Sequence, residues 1–167
     1  FENNKGEHFS VYILTDGISE KAELKFLRLA DIYKQEIFIK TIDKRCFDGL
    51  TVNERFPVSM YYRFLLPDML QKEEKVLYLD CDIIVRHSLK PLYDIDLYGK
   101  AIAAVVAESC DDIVFENTLL LEGKYFNSGV LLLNLEYWRK NDIAKKLIGW
   151  VADNPDKCSL PDQNALN

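Results

Sequence analysis

The pattern of apolar and polar positions predicts a strand, a helix and a second strand in the first quarter of the chain. Residues 9–15 are β-branched and aromatic and predict a strand, which a turn at Asp16 and Gly17 ends. Ser19 is a candidate helix N-cap, and residues 36–42 predict the next strand. The helix between the strands has one apolar face, formed by Ala22, Phe26, Leu29, Ala30 and Tyr33. Such a unit is typical of an α/β fold with a parallel sheet.

Later apolar runs predict three further strands, at residues 76–79, 101–106 and 130–133. Each is a short continuous run, which is the pattern of a strand buried on both faces. Residues 110–124 are acidic and irregular, and they predict a mobile loop between the second and third of these strands.

The remaining segments predict helices. Residues 57–70 are helical in pattern, and Pro67 must bend or restart that helix, because proline removes a hydrogen bond and clashes inside a helix. Asp142 is a cap candidate for a helix over residues 143–151. Residues 159–167 predict a loop that enters a helix near Pro161.

Residues 75–89 combine a predicted strand with the first candidate functional residues, two aspartates. The predicted strand runs directly into Asp80, Cys81 and Asp82, and apolar residues resume at 83–85. In an extended backbone Asp80 and Asp82 point the same way and Cys81 points oppositely. Two carboxylates at a strand end need a partner, and their oxygens suit Mg²⁺ or Mn²⁺. The alternative is a strand end followed by a charged turn, since Asp-x-Asp alone is weak evidence.

Three other sites have both a functional and a plain interpretation. Arg63 suits a phosphate clamp, or it is a surface arginine whose stem covers apolar area, which the spacing favours slightly. The cluster at residues 127–129 (Asn-Ser-Gly) lets a ligand approach the backbone, or it is a tight turn. Asp162 and Gln163 stand at a helix start that can face an anion, and ordinary helix-start chemistry is the preferred local interpretation.

Composition excludes several classes of protein. The 167 residues correspond to about one domain, and 49% hydrophobic content excludes a disordered chain. A net charge of −6 gives no sign of the basic surface that binds nucleic acid. No apolar run approaches the length that is needed to span a membrane. The four cysteines lack CxxC spacing, which favours reduced thiols in a cytosolic protein over zinc or disulfides.

Four segments in characteristic order and spacing carry a family resemblance over essentially the whole chain. They are residues 61–67 (YYRFLLP), 77–82 (LYLDCD), 125–134 (YFNSGVLLLN) and 162–167 (DQNALN). Together they resemble glycosyltransferase family 8, the retaining bacterial galactosyl- and glucosyltransferases of lipopolysaccharide synthesis and the related glycogenins. The resemblance implies an α/β fold of the GT-A type, with a mostly parallel central sheet flanked by helices.

The resemblance also implies a donor site and a metal. Asp80 would contact the ribose and the metal, and Asp82 would bind Mn²⁺ (or Mg²⁺) across the diphosphate of UDP-galactose or UDP-glucose. Cys81 would lie between them in the donor site, and Arg63 would reach the donor sugar or diphosphate. The acceptor would be a saccharide or a lipid-linked saccharide.

The resemblance assigns the sugar end of the site to three residues. Asn127 and Asp162 would hydrogen-bond the donor sugar. Gln163, with Asp162 the catalytic candidate, would lie beneath the anomeric carbon on the side opposite the leaving group. A carboxylate-nucleophile mechanism does not carry over cleanly, because this position holds an amide.

We expect residues 1–167 to be a single catalytic domain that lacks the family's first strand and its C-terminal metal- and phosphate-binding segment. The location expected is cytoplasmic and peripheral at the inner face of the membrane, through segments outside this chain. His8 and His87 do not match the missing histidine motif and are expected at the surface. Two alternatives stay open: a phosphatase of the haloacid dehalogenase type, which also places Asp-x-Asp after a buried strand, and a non-catalytic interaction domain.

Overall fold

The computed structural model describes residues 1–52, 54–107 and 124–167. The strands are β1 (Ser10–Thr15), β2 (Glu36–Thr41), β3 (Lys75–Leu79), β4 (Ile102–Val106) and β5 (Phe126–Asn134). The α-helices are α1 (Glu20–Tyr33), α2 (Leu66–Met69), α3 (Lys90–Tyr93), α4 (Leu135–Lys140), α5 (Ile143–Asp153) and α6 (Pro161–Leu166). Short 3₁₀ helices cover Glu2–Asn4, Lys44–Phe47, Val58–Leu65 and Pro155–Lys157.

The first strand–helix–strand unit forms as the sequence predicts. β1 and β2 pair in parallel, with Ser10 opposite Glu36 and Thr15 opposite Thr41. Ser19 is the N-cap of α1, and its hydroxyl accepts a hydrogen bond from the Ala22 N–H at 3.2 Å. The parallel-sheet prediction is therefore confirmed for this pair.

The other three strands correct the expectation of a mostly parallel sheet. They form a sheet in the order β3-β5-β4, and both of its ladders are antiparallel. An apolar run identifies a buried strand but carries no information about its direction, so the sequence pattern does not distinguish the two arrangements. Among the described strands, only β1 and β2 pair with each other in parallel.

The most deeply buried strand is β5, not β3. Leu131, Leu132 and Leu133 are almost completely buried, because β5 lies between β3 and β4. The five residues of β3 are only half-buried, so the prediction that this strand is buried on both faces is wrong. The central strand therefore carries the Asn-Ser-Gly segment, and β3 lies beside it and carries Asp80.

The buried core combines side chains from the 3₁₀ helix Val58–Leu65, from helices α2, α4 and α5, and from β5. The helix predicted over residues 57–70 is divided, and Pro67 lies in the first turn of α2, as a proline that restarts a helix does. The largest buried side chains include Tyr61, Phe64, Trp138 and Val151. This packing holds one end of the Val58–Leu65 helix against the sheet and so places Arg63 at the site described below.

Three expectations concern the rest of the chain. The predicted loop at residues 110–124 lies, apart from Lys124, outside the described residues. In the part of the chain that the structure describes, no helix has the length and apolar character needed to cross a membrane. His8 and His87 are exposed, as expected.

Candidate active site

A turn at the end of β3 presents the paired carboxylates. The Asp80 N–H donates to the Gly129 carbonyl at 2.9 Å, which extends the pairing with β5 by one residue. The chain then turns at Cys81 and Asp82, and the Ile83 N–H donates back to the Asp80 carbonyl at 3.3 Å. The expectation of an extended backbone through these residues, resuming as an apolar strand, is wrong.

The turn places the carboxylates of Asp80 and Asp82 in different environments. Asp80 is half-buried and faces the protein, whereas Cys81 and Asp82 are exposed. Ile84, in the segment predicted to resume the strand, is 85% exposed. Asp82 is therefore open to solvent and to a ligand, while Asp80 is tied to the protein.

Arg63 is the centre of the site. Its side chain is almost completely buried, with the residue 4% exposed, so the surface interpretation that its spacing favoured is wrong. Nη2 lies 3.0 Å from Asp80 Oδ1, and Nη1 lies 3.2 Å from Asp162 Oδ2. The guanidinium thus joins two carboxylates that are far apart in the sequence.

Further hydrogen bonds fix the orientation of the Arg63 guanidinium. Nη1 donates to the Ser128 carbonyl at 2.6 Å, and Nε donates to the Met60 carbonyl at 3.0 Å. Because guanidinium has five N–H donors in a rigid fork, these two carbonyls and the two carboxylates occupy most of its capacity. A bidentate grip on a ligand would require breaking one of these contacts.

Tyr78 supports both Arg63 and Asp80. Its ring lies under the guanidinium, 4.1 Å from its central carbon, and its hydroxyl donates to Asp80 Oδ1 at 2.7 Å. Burial raises the pKa of Tyr78 strongly, the positive charge of Arg63 opposes that rise, and the hydrogen bond to Asp80 adds to it. The hydroxyl therefore remains a proton donor at any physiological pH.

The Asn-Ser-Gly segment lies inside β5, so the tight-turn interpretation is wrong. Asn127 Oδ1 accepts a hydrogen bond from the Gly129 N–H at 2.8 Å. A Cβ atom on Gly129 would lie 3.0 Å from both Asn127 Oδ1 and Asp80 Oδ2. Glycine at this position therefore allows β5 to approach the Asp80 carboxylate closely.

Helix α6 brings Asp162 and Gln163 to the same place. The Tyr125 hydroxyl donates to Asn164 Oδ1 at 2.9 Å, and the Phe126 N–H donates to Asn167 Oδ1 at 2.8 Å. These bonds attach α6 to the start of β5, next to Ser128. The Gln163 Oε1 atom accepts a hydrogen bond from the Ser128 N–H at 3.0 Å.

Asp162 is a buried carboxylate with competing influences on its pKa. The residue is 7% exposed, and burial raises its pKa. Arg63 and the hydroxyl of Ser128 act in the opposite direction without cancelling the effect of burial. Ordinary helix-start chemistry does not explain a carboxylate buried against an arginine of another segment.

The carboxylates fit a metal that is shared with a ligand better than a site built from protein alone. Among the described residues, no group of three or more histidine, cysteine or acidic side chains could hold a metal ion. Asp80 and Asp82 supply carboxylate oxygens, and Asp82 is exposed. Mg²⁺ and ions of similar preference are commonly held by one or two carboxylates together with substrate phosphates and water. The donor set therefore fits an ion that a diphosphate helps to hold.

The structure brings together Arg63, Asp80, Asp162 and Gln163, and Asn127 lies beside them through Gly129. Cys81 and Asp82 lie on the adjoining turn and, within the described residues, make no hydrogen bond or ion pair to that cluster.

Sequence reasoning missed two contributors, Tyr78 and Ser128. Tyr78 lies in the predicted apolar strand, two residues before Asp80. Residues two apart in a strand point to the same face, so the pattern already placed the Tyr78 and Asp80 side chains together. Ser128 belongs to the Asn-Ser-Gly cluster, whose pattern allows either close approach of a ligand or a tight turn, and nothing in that pattern indicates contacts with Arg63 or α6.

Comparison with known proteins identifies the family of the chain. The model of a family described as Glycosyl transferase family 8 matches residues 1–167. General stress protein A of Bacillus subtilis is 28% identical over 161 residues, which cover 94% of this chain and 56% of that protein. A lipopolysaccharide 1,2-glucosyltransferase of Escherichia coli is 32% identical over 175 residues, covering 99% and 51% respectively.

A solved structure is similar throughout the chain. The galactosyltransferase LgtC, determined in complex with donor and acceptor sugar analogs, superposes with a TM-score of 0.88 at 30% identity, covering 99% of this chain and 61% of that one. The chain spans about half the length of the curated relatives it matches.

Proposed function

The chain belongs to glycosyl transferase family 8 and has the α/β fold of the GT-A type, and on this premise we propose that the whole protein moves a hexose from a UDP-sugar to an acceptor. The sugar is galactose or glucose, the acceptor is a saccharide or glycolipid, and the anomeric configuration of the donor is retained. The observation that carries the proposal is the Arg63 guanidinium, which joins Asp80 to Asp162 beside the exposed Asp82.

The names of the relatives support the substrate class. The Escherichia coli relative is a lipopolysaccharide glucosyltransferase, and a Salmonella typhimurium relative, 30% identical over 173 residues, is a lipopolysaccharide galactosyltransferase. LgtC was solved with analogs of both donor and acceptor sugars. These names support a hexose donor and a saccharide or glycolipid acceptor for this chain.

Asp80 and Asp82 would hold Mn²⁺ or Mg²⁺ together with the donor diphosphate. When bound, the ion neutralises the negative charge that develops on the departing diphosphate. Asp82 is free to move toward the ligand because it is exposed, whereas Asp80 is held by Arg63 and Tyr78. The protein thus contributes one fixed and one adaptable carboxylate.

Arg63 would act chiefly by holding the carboxylates in place. Its contacts with Asp80, Asp162 and the Ser128 carbonyl leave little of its hydrogen-bonding capacity for the donor. Asp162, fixed by Arg63, and Asn127, on β5, would hydrogen-bond the donor sugar. In this proposal the buried ion pair of Arg63 and Asp162 orients the sugar, because the protein holds that pair in place before the donor binds.

Gln163 would act on the sugar by its amide dipole and not as a covalent nucleophile, because an amide is only weakly nucleophilic. An amide that hydrogen-bonds a polar group of the bound sugar requires no covalent intermediate. The structure offers no observation in favour of the phosphatase alternative, and membership of the family argues against it. A non-catalytic domain is an outcome that the following experiment can identify.

The proposal is tested by calorimetry of the whole protein with UDP-galactose and UDP-glucose, with and without Mn²⁺. We expect metal-dependent binding of at least one donor, and loss of that dependence in Asp82→Asn. The matched control is Asp31→Asn, which changes an exposed carboxylate in the last turn of α1 and should bind as the wild type does. Wild-type affinity and metal dependence in Asp82→Asn would disprove the metal assignment, and no binding of any nucleotide-sugar would disprove the donor class.

A further inference from the structure

Ser128 uses each of its polar groups on a residue of the candidate site. Its carbonyl accepts a hydrogen bond from Arg63 Nη1 at 2.6 Å, and its N–H donates to Gln163 Oε1 at 3.0 Å. Its hydroxyl oxygen lies 3.3 Å from Asp162 Oδ2 and 3.2 Å from Gln163 Oε1. The residue is 6% exposed and lies in the central strand β5, so these contacts are shielded from water.

The hydroxyl of Ser128 has one proton and two neighbouring acceptors. It can donate to Asp162 or to Gln163, or be shared between them, so its orientation couples the positions of the two side chains. In a buried site such a bond is stronger than in water, and an unmade one is costly. Asp162 and Gln163 are adjacent on α6, and Ser128 is the described residue of the sheet that contacts both through its side chain.

The Ser128 N–H also determines which end of the Gln163 amide faces β5. A backbone N–H requires an acceptor, so Oε1 is directed toward Ser128 and Nε2 is directed away from it. Within the described residues, Nε2 has no hydrogen-bond partner. The amino end of the amide is therefore the end available to a bound substrate.

We propose that Ser128 is a positioning residue for the transfer reaction, whose hydroxyl and N–H hold Asp162 and Gln163 so that the Gln163 amide offers N–H donors to an oxygen atom of the bound substrate. This inference rests on the proposed function and deepens it. It assigns to β5 the alignment of the two residues at the sugar end of the site, a role separate from holding the metal.

Removal of the hydroxyl alone isolates this role. Ser128→Ala keeps the carbonyl that binds Arg63 and the N–H that binds Gln163, so the donor-binding charge cluster remains in place. We expect kcat of the whole protein to fall about tenfold, the effect of losing one hydrogen bond to a charged or aligned group. The KM for the UDP-sugar should stay within about twofold of the wild-type value, because the contacts of Arg63 are unchanged.

A double-mutant cycle with Gln163→Ala distinguishes positioning from a separate or purely structural effect. If Ser128 acts through Gln163, the double variant should be no slower than Gln163→Ala alone. Losses that multiply would overturn the proposal, as would an unchanged kcat in Ser128→Ala. The matched control is Ser10→Ala, which removes a serine hydroxyl bonded to the Glu36 carboxylate at the exposed start of β1, and it should leave kcat unchanged.

Two further measurements keep the outcome unambiguous. The wild type is assayed first with UDP-galactose and UDP-glucose. If it shows no turnover, the proposed function is contradicted before any variant is assayed. If Ser128→Ala fails to fold, Ser128→Cys is measured instead, because a thiol fills the site but is a weak donor. That variant should show the same kcat loss at unchanged KM, and full activity in it would overturn the role of the hydroxyl.

Discussion

At the scale of single residues, the site is governed by a charge imbalance. Two carboxylates (Asp80 and Asp162) pair with one guanidinium (Arg63), and Asp82 lies exposed on the adjoining turn, so the ionised groups carry an excess of negative charge. Burial of Asp162 adds an energetic cost that Arg63 and Ser128 only partly offset. Such an excess of negative charge favours the binding of a cation, as the proposed metal site requires, at a cost to the stability of the folded protein.

The raised pKa of Asp162 predicts that its neutral isostere is not destabilising. When the folded pKa of a carboxyl group lies above the unfolded value, its contribution to stability is present at low pH and is lost as pH rises through the folded pKa. Asp162→Asn cannot ionise, so at pH 7 it should be as stable as the wild type or more stable, with the difference disappearing below about pH 4. Its transfer activity should be severely reduced.

Denaturant unfolding of both proteins between pH 3 and pH 8 measures this difference. A variant that is less stable than the wild type at pH 7, by a margin that grows with pH, would contradict the dominance of burial over the Arg63 ion pair. The pH series also separates this effect from a general packing defect, which would lower stability at every pH.

The planar fork of Arg63 predicts that lysine cannot replace it. Arg63→Lys keeps the positive charge but cannot contact Asp80, Asp162 and the Ser128 carbonyl at once or stack equally well on Tyr78. We expect a loss of about 1–3 kcal/mol in the free energy of unfolding and weaker binding of the UDP-sugar by calorimetry.

Arg139→Lys is the matched control for Arg63. Arg139 also donates to backbone carbonyls, those of Pro67, Leu70 and Glu73, but it lies on α4 at the end of α2. Its replacement should lower stability without changing donor affinity. Equal donor affinity in both variants would assign Arg63 a purely structural role.

At the scale of elements, β5 and α6 place the site residues. Buried hydrogen bonds from Tyr125 to Asn164, and bonds between Asn167 and Phe126, attach α6 to the first residues of β5. Asp162, Gln163 and Ser128 meet as a result. Both elements are near the end of the chain, while Arg63 and Asp80 come from earlier segments, so the site forms only when the tertiary fold does.

The two neighbouring tyrosines of the Val58–Leu65 helix make a test of its packing. The Tyr61 hydroxyl donates to the Thr51 carbonyl at 2.7 Å, whereas the Tyr62 hydroxyl is buried and, among the described residues, no acceptor or donor meets hydrogen-bond geometry with it. Burial raises the pKa of Tyr62, and the nearby Asp16 carboxylate adds to that rise without meeting hydrogen-bond geometry.

Tyr62→Phe should therefore be neutral or stabilising, because it removes a buried polar group that is not satisfied. Tyr61→Phe should cost about 1 kcal/mol, since it removes a made hydrogen bond and leaves the Thr51 carbonyl without it. Thermal unfolding of the two variants side by side measures the contrast. A larger loss for Tyr62→Phe than for Tyr61→Phe would show that the Tyr62 hydroxyl has a partner.

Local patterns predicted elements better than they predicted how elements meet. The N-cap at Ser19, the helix restart at Pro67 and the parallel pair β1–β2 follow from side-chain chemistry within a few residues, and all were predicted correctly. Strand direction and the central place of β5 depend on contacts between distant segments, and these were not. Apolar runs look alike whether the strand is central or at an edge.

The same distinction holds for the site. The family resemblance predicted that Arg63, Asp80, Asp162 and Gln163 belong together, whereas spacing alone favoured a surface position for Arg63. The burial of Arg63 and the contacts of Ser128 come from packing between β5, α6 and the Val58–Leu65 helix, which no local window contains. Polar residues inside an apolar strand, such as Tyr78, were the one local signal left unused.

At the scale of the whole molecule, the described residues supply part of the proposed donor site. Two carboxylates of the proposed metal site are present, and among the described residues no third acidic, histidine or cysteine ligand completes a group around them. The chain spans about half the length of its curated relatives. The transfer activity proposed above is therefore to be measured on the whole protein.

Incubation of the whole protein with a panel of nucleotide-sugars and saccharide acceptors, with and without Mn²⁺, is the most direct test. Nucleotide release is measured, and the purified product is examined by NMR. We predict Mn²⁺-dependent release of UDP from UDP-galactose or UDP-glucose and an α-linked product from the α-linked donor. A β-linked product, or no release from any nucleotide-sugar, would contradict a retaining hexosyl transfer at this site.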